Sequence, residues 1–450
     1  MRSTKNDNLK VISDLISQVP DNRKFIENSS EFISYGELKS LIKSFKKNHV
    51  FLEDQNCAIT SNSAFHLSLY LPAICEISNN IYLEPENLEN NTREEFYKKI
   101  NINFRIEIKG KRIYCKKVSD KKNKSLNKKK WILSTSGTSG TPKSLEYDFS
   151  SLIKTAKGKV EDGEKYIWGM SYELNRFAGL QVYLQAIYVG SSITIPDRNM
   201  PMNKIVSLFK KTKVSCLSGT PSYWRKLLMV KNASKINLSQ ITLGGEIADQ
   251  SILDALKLKY KKANIIHIYA STEAGVGFSV KDGLSGFPKS LLRNNKKQSL
   301  QLKINKGLLW IKSDRGSNYS HNRDLTFDKE GFMNTGDLVE LRDERVFFVG
   351  RDTGTINVGG NKVIPEEVEA IINSHKDVLI SKVFAKKSSM VGMLVQGEIV
   401  VKTSSLKSTK KIKSEVLELC KKNLQDFKIP VILKFTENIE LNSAGKILRK

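Results

Sequence analysis

Short apolar runs rich in β-branched residues alternate with helix-periodic stretches along much of this 450-residue chain. The runs include SSITIP, VSCLSG, QITLGG and NIIHIY, and each lies near a Gly or Ser turn. Between them lie helical stretches such as MNKIVSLFKKT and QSILDALKLKY. This repeated alternation predicts an α/β fold whose layered sheets are mostly parallel.

Three further regions divide the chain. Residues 116–130, KKVSDKKNKSLNKKK, form a charged stretch that is best interpreted as an exposed loop after an opening α/β part. Residues 307–350 contain short strands separated by turns, which predicts a small antiparallel or barrel-like β subdomain. After Arg351 the pattern returns to helices and strands, with PEEVEAIINSH as a proline-initiated helix.

The segment WILSTSGTSGTPKS is the most informative stretch for function. Small hydroxyl residues and glycines follow a predicted strand end, so the backbone can curl around phosphate oxygens while hydroxyl groups and a lysine donate hydrogen bonds. It is not a Walker A loop, because Pro142 stands directly before Lys143 where that motif requires Gly. The segment therefore predicts nucleoside triphosphate binding by Thr135, Ser136, Gly137, Thr138, Ser139, Gly140 and Lys143.

STSGTSGTPK resembles the phosphate loop of the ANL superfamily, which comprises acyl-CoA synthetases, aryl-CoA ligases, adenylation domains of nonribosomal peptide synthesis, and luciferases. Four later motifs occur in the order of that family: IYASTEAG, NTGDL, GRDTGTINVGGNKVIPEEVE and NSAGKILRK. The resemblance covers nearly the whole chain. It implies an AMP-binding domain over residues 1–351 and a small mobile α+β domain over residues 352–450 that carries the catalytic lysine.

The resemblance also assigns residues to the nucleotide. Thr138, Ser139 and Lys143 would hold the β- and γ-phosphates. Thr272 would hold the α-phosphate, and the Glu273 carboxylate would bind Mg²⁺, a cation that prefers oxygen ligands. The adenine side is assigned to the ring of Tyr269 and to the loop containing Gly245 and Glu246.

The remaining assignments concern the ribose, the reacting atoms and the thiol. Asp337 would accept hydrogen bonds from the ribose hydroxyls, with Arg351 beside it. Lys446 would stabilise the negative charge that develops between the α-phosphate and the carboxylate. Gly360 and Lys362 would border the path of coenzyme A or of a carrier-protein pantetheine arm.

Three positions depart from the family pattern. Ala270 replaces a glycine after the tyrosine, and Thr353 stands where relatives carry Asp or Lys at the pivot between the domains. Near the acyl site, Asn175 or Arg176 occupies the place of a common histidine. Arg176 is therefore either a partner for a second polar group on the substrate or an arginine on the solvent face of a helix.

The net charge of +27, from 74 Lys and Arg against 47 Asp and Glu, raises the question of nucleic-acid binding. The lysines are spread over the whole chain, however, and no zinc-finger, RNP-type or recognition-helix motif accompanies them. We therefore expect no nucleic-acid partner. A basic surface also suits the phosphates of coenzyme A or an acidic carrier protein.

Five cysteines without a CxxC pair argue against a disulfide framework and a zinc site, so a reducing cytoplasm is the expected location. No apolar run approaches the roughly 18 residues of a membrane-spanning helix, and the first residues lead into no signal-peptide core. We expect neither membrane insertion nor secretion.

The function expected from these observations is acid:thiol ligation, in which ATP activates a carboxylic acid as an acyl-adenylate. One alternative is amino-acid adenylation, with Glu173 of SYELN anchoring the substrate ammonium. A second alternative is a non-catalytic basic binding protein on the same fold, against which Glu273, Asp337 and Lys446 all count.

Overall fold

The computed structural model describes residues 11–86, 88–121, 129–135, 143–293, 299–314, 316, 325–388, 392–402, 405–442 and 445–448. For Thr135, Lys143 and Ser388 it describes the backbone alone. The predicted phosphate-binding residues Ser136, Gly137, Thr138, Ser139 and Gly140 lie outside the described residues.

The α-helices of the described residues are, in chain order, α1 (Ile12–Ser17), α2 (Tyr35–Asn48), α3 (Ala64–Ile77), α4 (Asn90–Ile100), α5 (Phe149–Ile153), α6 (Phe177–Tyr188), α7 (Met202–Lys211), α8 (Pro221–Met229), α9 (Gln250–Lys259), α10 (Pro365–Asn373) and α11 (Thr409–Asn423). Short 3₁₀ helices span Val50–Leu52, Val160–Lys165, Ala233–Lys235, Lys289–Leu292, Asp352–Gly354 and Asp426–Lys428.

The β-strands are β1 (Lys24–Glu27), β2 (Phe32–Ser34), β3 (Cys57–Ser61), β4 (Ile81–Leu83), β5 (Phe104–Lys109), β6 (Arg112–Lys117), β7 (Lys130–Thr135), β8 (Lys143–Asp148), β9 (Ile167–Gly169), β10 (Ser192–Thr194), β11 (Cys216–Gly219), β12 (Gln240–Gly244), β13 (Asn264–Ser271), β14 (Gly275–Val280), β15 (Phe287–Pro288), β16 (Leu300–Asn305), β17 (Leu308–Ser313), β18 (Met333–Arg342), β19 (Arg345–Arg351), β20 (Ile356–Val358), β21 (Asn361–Val363), β22 (Val378–Ser388), β23 (Gly392–Val401) and β24 (Ile432–Phe435).

Two large sheets have parallel centres and antiparallel edges. The eight-stranded sheet has the order β14-β13-β12-β11-β9-β10-β1-β2, and its strands are parallel from β13 to β1. The six-stranded sheet has the order β6-β5-β3-β4-β7-β8 and is parallel from β5 to β7. Strands such as β11 are buried along their whole length, as expected for parallel strands covered on both faces. The predicted α/β fold with mostly parallel sheets is confirmed.

Helix α2 shows how local sequence produces these elements. Ser34 caps its first turn: the Ser34 Oγ accepts from the backbone N–H of Glu37 at 3.2 Å, and the Glu37 carboxylate accepts from the Ser34 N–H at 2.7 Å. The hydrogen bonds that the Glu37 carboxylate accepts from Ser34, first from its backbone N–H and second from its hydroxyl group, lower the pKa of Glu37. Leu38, Ile42 and Phe45 then recur at helical spacing and are buried against the core.

The small β subdomain predicted near residue 307 is an antiparallel five-stranded sheet of order β15-β19-β18-β17-β16. It begins earlier than predicted, because β15 and β16 precede residue 307. The edge strand β15 is two residues long, which is too short for a periodicity signal.

The last part of the chain contains the β20–β21 hairpin and the sheet β22-β23-β24, against which α10 and α11 pack. It contacts helix α8. The apolar side chains at this contact are Met229, Leu379, Ile380, Val400, Ile439 and Ile447. The guanidinium of Arg225, a buried residue of α8, donates to the Leu379 carbonyl at 3.0 Å and pairs with Asp249 at 2.5 Å. The part of the chain after residue 351 therefore packs against α8 in this conformation.

Within the described ranges, none of the helices combines the length and the apolar character needed to cross a bilayer.

Candidate active site

Three neighbouring parallel strands end at the same edge of the eight-stranded sheet and present the candidate residues there. The register aligns Gly219 of β11 with Leu243 of β12, and Gly244 of β12 with Ile268 of β13. Thr220, the Gly245–Glu246 loop and the segment from Tyr269 to Glu273 therefore follow one another along this edge. The carboxyl ends of parallel strands are where α/β proteins form their ligand sites.

Residue 442 and residues 445–448, here called the terminal segment, bring Lys446 to this edge. A Cβ atom built on Gly245, whose φ is +84°, would lie 3.2 Å from the Cε and 3.9 Å from the Nζ of Lys446. The loop thus passes close beside the lysine side chain, and a residue without a side chain leaves room for it. The predicted catalytic lysine and the predicted nucleotide loop are adjacent in space, although about 200 residues separate them in sequence.

Asp337 lies between two of the other candidates. Its carboxylate accepts from the Tyr269 hydroxyl at 2.6 Å and from Arg351 Nε at 2.9 Å. Asp337 and Arg351 are direct partners across the β18–β19 pair, so the register of this hairpin creates the ion pair. The negative charge of Asp337 is the main reason that the pKa of Arg351 is raised.

The Tyr269 ring is stacked with two phenylalanine rings. Its centroid lies 5.3 Å from that of Phe278, its cross-strand partner, and 5.1 Å from that of Phe348. The residue remains partly accessible. Burial of the hydroxyl group, reinforced by Asp337, raises its pKa well above the usual value. The adenine contact assigned to this ring therefore remains a prediction for its accessible part.

Thr272 and Glu273 lie in the turn between β13 and β14. The Thr272 carbonyl accepts a hydrogen bond from the Tyr147 hydroxyl on β8, which joins the two large sheets at this point. The charge of the Glu273 carboxylate contributes to the raised pKa of Arg351 and opposes the lowering of the pKa of Lys446. A carboxylate of this kind, near phosphate-binding groups, has the oxygen chemistry that Mg²⁺ requires.

Opposing influences act on the Lys446 ammonium. Its pKa is lowered, first by desolvation and second by the positive charge of Arg351, although the residue as a whole is solvent-exposed. The carboxylates of Glu246, Asp337 and Glu273 act in the opposite direction. Two cationic side chains, Lys446 and Arg351, and the three carboxylates named above therefore lie close together at this edge of the sheet.

The predicted phosphate loop connects the antiparallel strands β7 and β8. Thr135 pairs directly with Lys143, and residues 136–142, which stand between them in the sequence, lie outside the described residues. The side chains of Thr135 and Lys143 are outside the description. Tyr147, four residues after Lys143, makes the contact with Thr272 described above, which ties this hairpin to the candidate site.

Gly360 and Lys362 belong to a separate hairpin. Gly359 and Gly360 have φ values of +55° and +89° in the two-residue turn between β20 and β21, a conformation that favours glycine at both positions. A Cβ built on either would meet no atom within 4 Å. Lys362 Nζ lies 3.3 Å from the Asp352 carboxylate. The contact of Gly360 and Lys362 with a thiol substrate stays a prediction. The turn conformation is by itself a sufficient reason for glycine at positions 359 and 360.

The predicted acyl side is lined by polar groups that contact one another. Asn175 Nδ2 donates to the Glu84 carbonyl at 3.3 Å, and Arg176 Nε lies 3.6 Å from the Glu173 carboxylate. Burial raises the pKa of Glu173, while the charge of Arg176 opposes that shift. The side chain of Glu84, which the sequence interpretation missed, is fully buried and pairs with Arg93 at 3.0 Å.

The sequence analysis also did not identify Thr220, Arg225 and Tyr147 as residues near the candidate site. The Thr-Pro pair at 220–221 carries a local signal for a helix start, and Thr220 does cap α8. Its second contact, with the terminal segment, spans 225 residues and has no local signal.

Gly245→Ala is expected to lower the activity of this site about tenfold or more, because a displaced Lys446 loses alignment with the reacting atoms. Alanine at this positive φ would strain the backbone, and its methyl group would lie too close to the Lys446 side chain. Gly283→Ala is the matched control, since Gly283 has a φ of +77° and open space around it. The prediction would be wrong if both variants lost activity equally in a steady-state assay.

A sequence model of the family described as "AMP-binding enzyme" matches residues 79–299. The 2-succinylbenzoate–CoA ligase of Listeria innocua serovar 6a is 25% identical over 330 residues, which cover 71% of this chain and 68% of the relative. The D-alanine–D-alanyl carrier protein ligase of Staphylococcus aureus is 23% identical over 397 residues, covering 82% and 79%.

Two solved structures illustrate the likeness in fold. The anthranilate CoA ligase AuaEII in complex with anthranoyl-AMP has a TM-score of 0.75 at 15% identity, covering 98% of this chain and 97% of that chain. The O-succinylbenzoate coenzyme A synthetase from Bacillus subtilis, in complex with ATP and magnesium ion, has a TM-score of 0.69 at 17% identity, covering 97% and 98%.

Proposed function

Because the chain belongs to the ANL superfamily of adenylate-forming enzymes, we propose that it is an AMP-forming acid:thiol ligase. It activates a carboxylic acid with ATP as an acyl-adenylate and releases pyrophosphate. It then transfers the acyl group to the thiol of coenzyme A or of a carrier-protein pantetheine. The observation that carries this proposal is the placement of Lys446 beside Gly245, within the electrostatic influence of Asp337, Glu273 and Arg351.

The residues present fit ATP with Mg²⁺. The Lys446 ammonium beside Gly245 supplies a positive charge for phosphate oxygens, and Glu273 supplies a carboxylate of the type that binds Mg²⁺. Asp337 supplies acceptor oxygens suited to the two hydroxyl groups of a ribose. When bound, the cation would neutralise phosphate charge. For the triphosphate we propose Thr272, Lys143 and the loop from Thr135 to Gly140, supported by the Thr135–Lys143 pairing that closes this loop.

We place the domain boundary after Arg351. Strand β19 ends at this residue, and the 3₁₀ turn Asp352–Gly354, which includes the exposed Thr353, follows at once. A residue in such a turn can change its backbone angles during domain rotation. In the rotated state, Gly360 and Lys362 would reach the thiol substrate. We propose that the adenylation step uses the conformation described here, because Lys446 lies at the sheet edge beside Gly245.

The experiment that tests this function is ATP–pyrophosphate exchange with a panel of fatty, aryl, dicarboxylic and amino acids. Positive acids are then offered with coenzyme A or with a phosphopantetheinylated carrier protein. Exchange with at least one acid, followed by thioester formation, is the expected result. Failure with every acid, while ATP still binds, would favour a non-catalytic binding protein.

Amino-acid adenylation is the second candidate, and the likeness to the D-alanine–carrier protein ligases supports it. Glu173 would then face the substrate ammonium. In the structure its carboxylate lies 3.6 Å from Arg176 Nε, so the ammonium would compete with this guanidinium. The amino acids in the panel decide between the two candidate functions. Only amino-acid adenylation predicts that amino acids are better substrates than acids without an α-ammonium group.

The reaction is proposed to occur in the cytoplasm, where ATP is available. The expected partners are the acid and a phosphate-bearing thiol. These anionic partners suit the basic surface of the chain, and the proposal assigns no nucleic acid to it.

Asp337→Asn is expected to raise the KM for ATP about tenfold, because an amide keeps one acceptor oxygen but loses the charge that holds Arg351 and a ribose hydroxyl. The measurement compares ATP with 2′-deoxy-ATP and 3′-deoxy-ATP in the exchange assay. The native enzyme should discriminate against at least one deoxynucleotide, and the variant should lose that discrimination. Equal discrimination in both would remove Asp337 from the ribose site.

A further inference from the structure

Both peptide groups that flank Lys446 are hydrogen-bonded to side chains of the proposed N-terminal domain, residues 1–351. The carbonyl of Gly445 accepts from the Thr220 hydroxyl, and the backbone N–H of Ile447 donates to Glu246 Oε1 at 2.9 Å. These contacts span 225 and 201 residues of sequence. They hold the backbone immediately before and immediately after the lysine.

Helix α8 fixes both of these side chains. Thr220 is its N-cap, and the Thr220 Oγ1 accepts from the N–H of Tyr223 at 3.0 Å. The second carboxylate oxygen of Glu246 accepts from the N–H of Ser222 at 2.9 Å. Each side chain therefore makes one hydrogen bond to the start of the helix and one to the terminal segment. A carboxylate can accept both bonds, and a hydroxyl group can accept one while donating the other.

Hydrogen bonds also join the described residues of the terminal segment to one another. The N–H of Gly445 donates to the Asn442 carbonyl at 2.9 Å, and the N–H of Asn442 donates to the Lys446 carbonyl at 2.8 Å. The N–H of Lys446 donates to Asn442 Oδ1 at 3.1 Å. Because these bonds fix Asn442 relative to Gly445 and Lys446, the two contacts with Thr220 and Glu246 define where these residues lie on the N-terminal domain.

We propose that Thr220 and Glu246 form a clamp that positions Lys446 for adenylation and must open before thiol transfer. This inference rests on the proposed function and gives Glu246 a role beyond the adenine side, where the sequence interpretation had assigned it. Both are positioning residues, because they act through the lysine backbone. Glu246→Gln keeps the size of the side chain but turns an NH₂ group toward one of the two N–H donors, so one contact is lost.

The first test separates the half-reactions. Glu246→Gln and Thr220→Val should each slow pyrophosphate exchange about tenfold, the effect of losing one hydrogen bond to the clamp. Thioester formation from a supplied acyl-adenylate should stay within about twofold of the native rate in Thr220→Val, since the clamp is open in that step and Thr220 has no assigned contact with the nucleotide. Thr220→Ser, which keeps the hydroxyl, should restore exchange. Equal loss of both half-reactions would overturn the proposal.

A double-variant cycle adds a readout that a purely structural role would not produce. In the Lys446→Ala background, Glu246→Gln should cause no further loss of exchange, because there is no longer a lysine to position. Losses that multiply would overturn the clamp and assign Glu246 to nucleotide binding or to folding. Glu437→Gln, an exposed carboxylate near the terminal segment, is the matched control and should behave as the native chain.

Amide hydrogen exchange on the full-length protein tests the clamp without any substrate. The Ile447 N–H should be protected in the native chain and should exchange several-fold faster in Glu246→Ala, which removes both acceptor oxygens. The Leu448 N–H, bonded to the Glu440 carbonyl at 3.1 Å, is the internal reference and should not change. Unchanged exchange at Ile447 would overturn the clamp even in an active enzyme. Loss of protection in a chain that adenylates no acid would retain the clamp and reject the proposed function.

Discussion

Lys446→Ala is expected to lower the rate of acyl-adenylate formation by about 10²–10³-fold and to leave ATP binding within about twofold. The lysine acts on charge that develops between the α-phosphate and the attacking carboxylate, so its loss affects the transition state more than the bound ground state. Its ammonium lies beside Gly245 and within the influence of Arg351, Asp337 and Glu273, where such charge would form. Pyrophosphate exchange and equilibrium nucleotide binding, measured on the same preparation, provide the comparison.

The pH dependence of the same step gives a second check. The active form of Lys446 is protonated, so adenylation should be retained below its pKa and lost as the pH rises through it. Desolvation and Arg351 lower this pKa from the usual value of 10.5, so the alkaline decline should begin earlier than for an ordinary lysine. The residual activity of Lys446→Arg should lack this decline, because a guanidinium stays protonated.

Lys434→Ala is the matched control for Lys446→Ala, since it removes an exposed lysine of the same domain. It should leave both half-reactions unchanged. If Lys446→Ala formed acyl-adenylate at the native rate, the terminal segment would have no part in the first step. Its position at the sheet edge would then be a matter of domain packing alone.

Glu273→Gln is expected to raise the Mg²⁺ concentration needed for half-maximal adenylation by about 10–100-fold, because an amide keeps the shape of the side chain but loses the charge that attracts the cation. At saturating Mg²⁺ part of the rate should return. The loss of charge should also lower the pKa of Lys446, since Glu273 is one of the carboxylates that raise it. The alkaline decline of the variant should therefore shift to lower pH.

The measurement is a Mg²⁺ titration of pyrophosphate exchange at fixed ATP. Glu164→Gln, a change of the same kind at an exposed position before the amino end of β9, serves as the control, because the candidate site lies at the carboxyl ends of the parallel strands. A titration curve identical to that of the native enzyme would show that another group binds the cation. A shift in the pH profile without any change in the titration would leave Glu273 an electrostatic neighbour of Lys446.

The sequence by itself determined the fold class and the order of the functional segments. Runs such as QITLGG and NIIHIY predict buried strands that end in turns, and the matching strands β12 and β13 do end at the candidate site. The capping box at Ser34 and the Thr-Pro start of α8 are likewise local signals, because the groups that interact are within four residues of one another. Local periodicity and capping chemistry require no knowledge of distant contacts.

Only the tertiary structure decided which of these residues meet. The pairing of Asp337 with Arg351 depends on the register of β18 and β19, which contains a bulge that sequence alone does not locate. The stacking of Tyr269 with Phe278 and Phe348 depends on the same kind of pairing, and it occupies surface that the sequence interpretation left to adenine. The hydrogen bonds from Thr220 and Glu246 to the terminal segment arise from domain docking across more than 200 residues. Such contacts follow from the packing of whole elements against one another, and no short stretch of sequence encodes that packing.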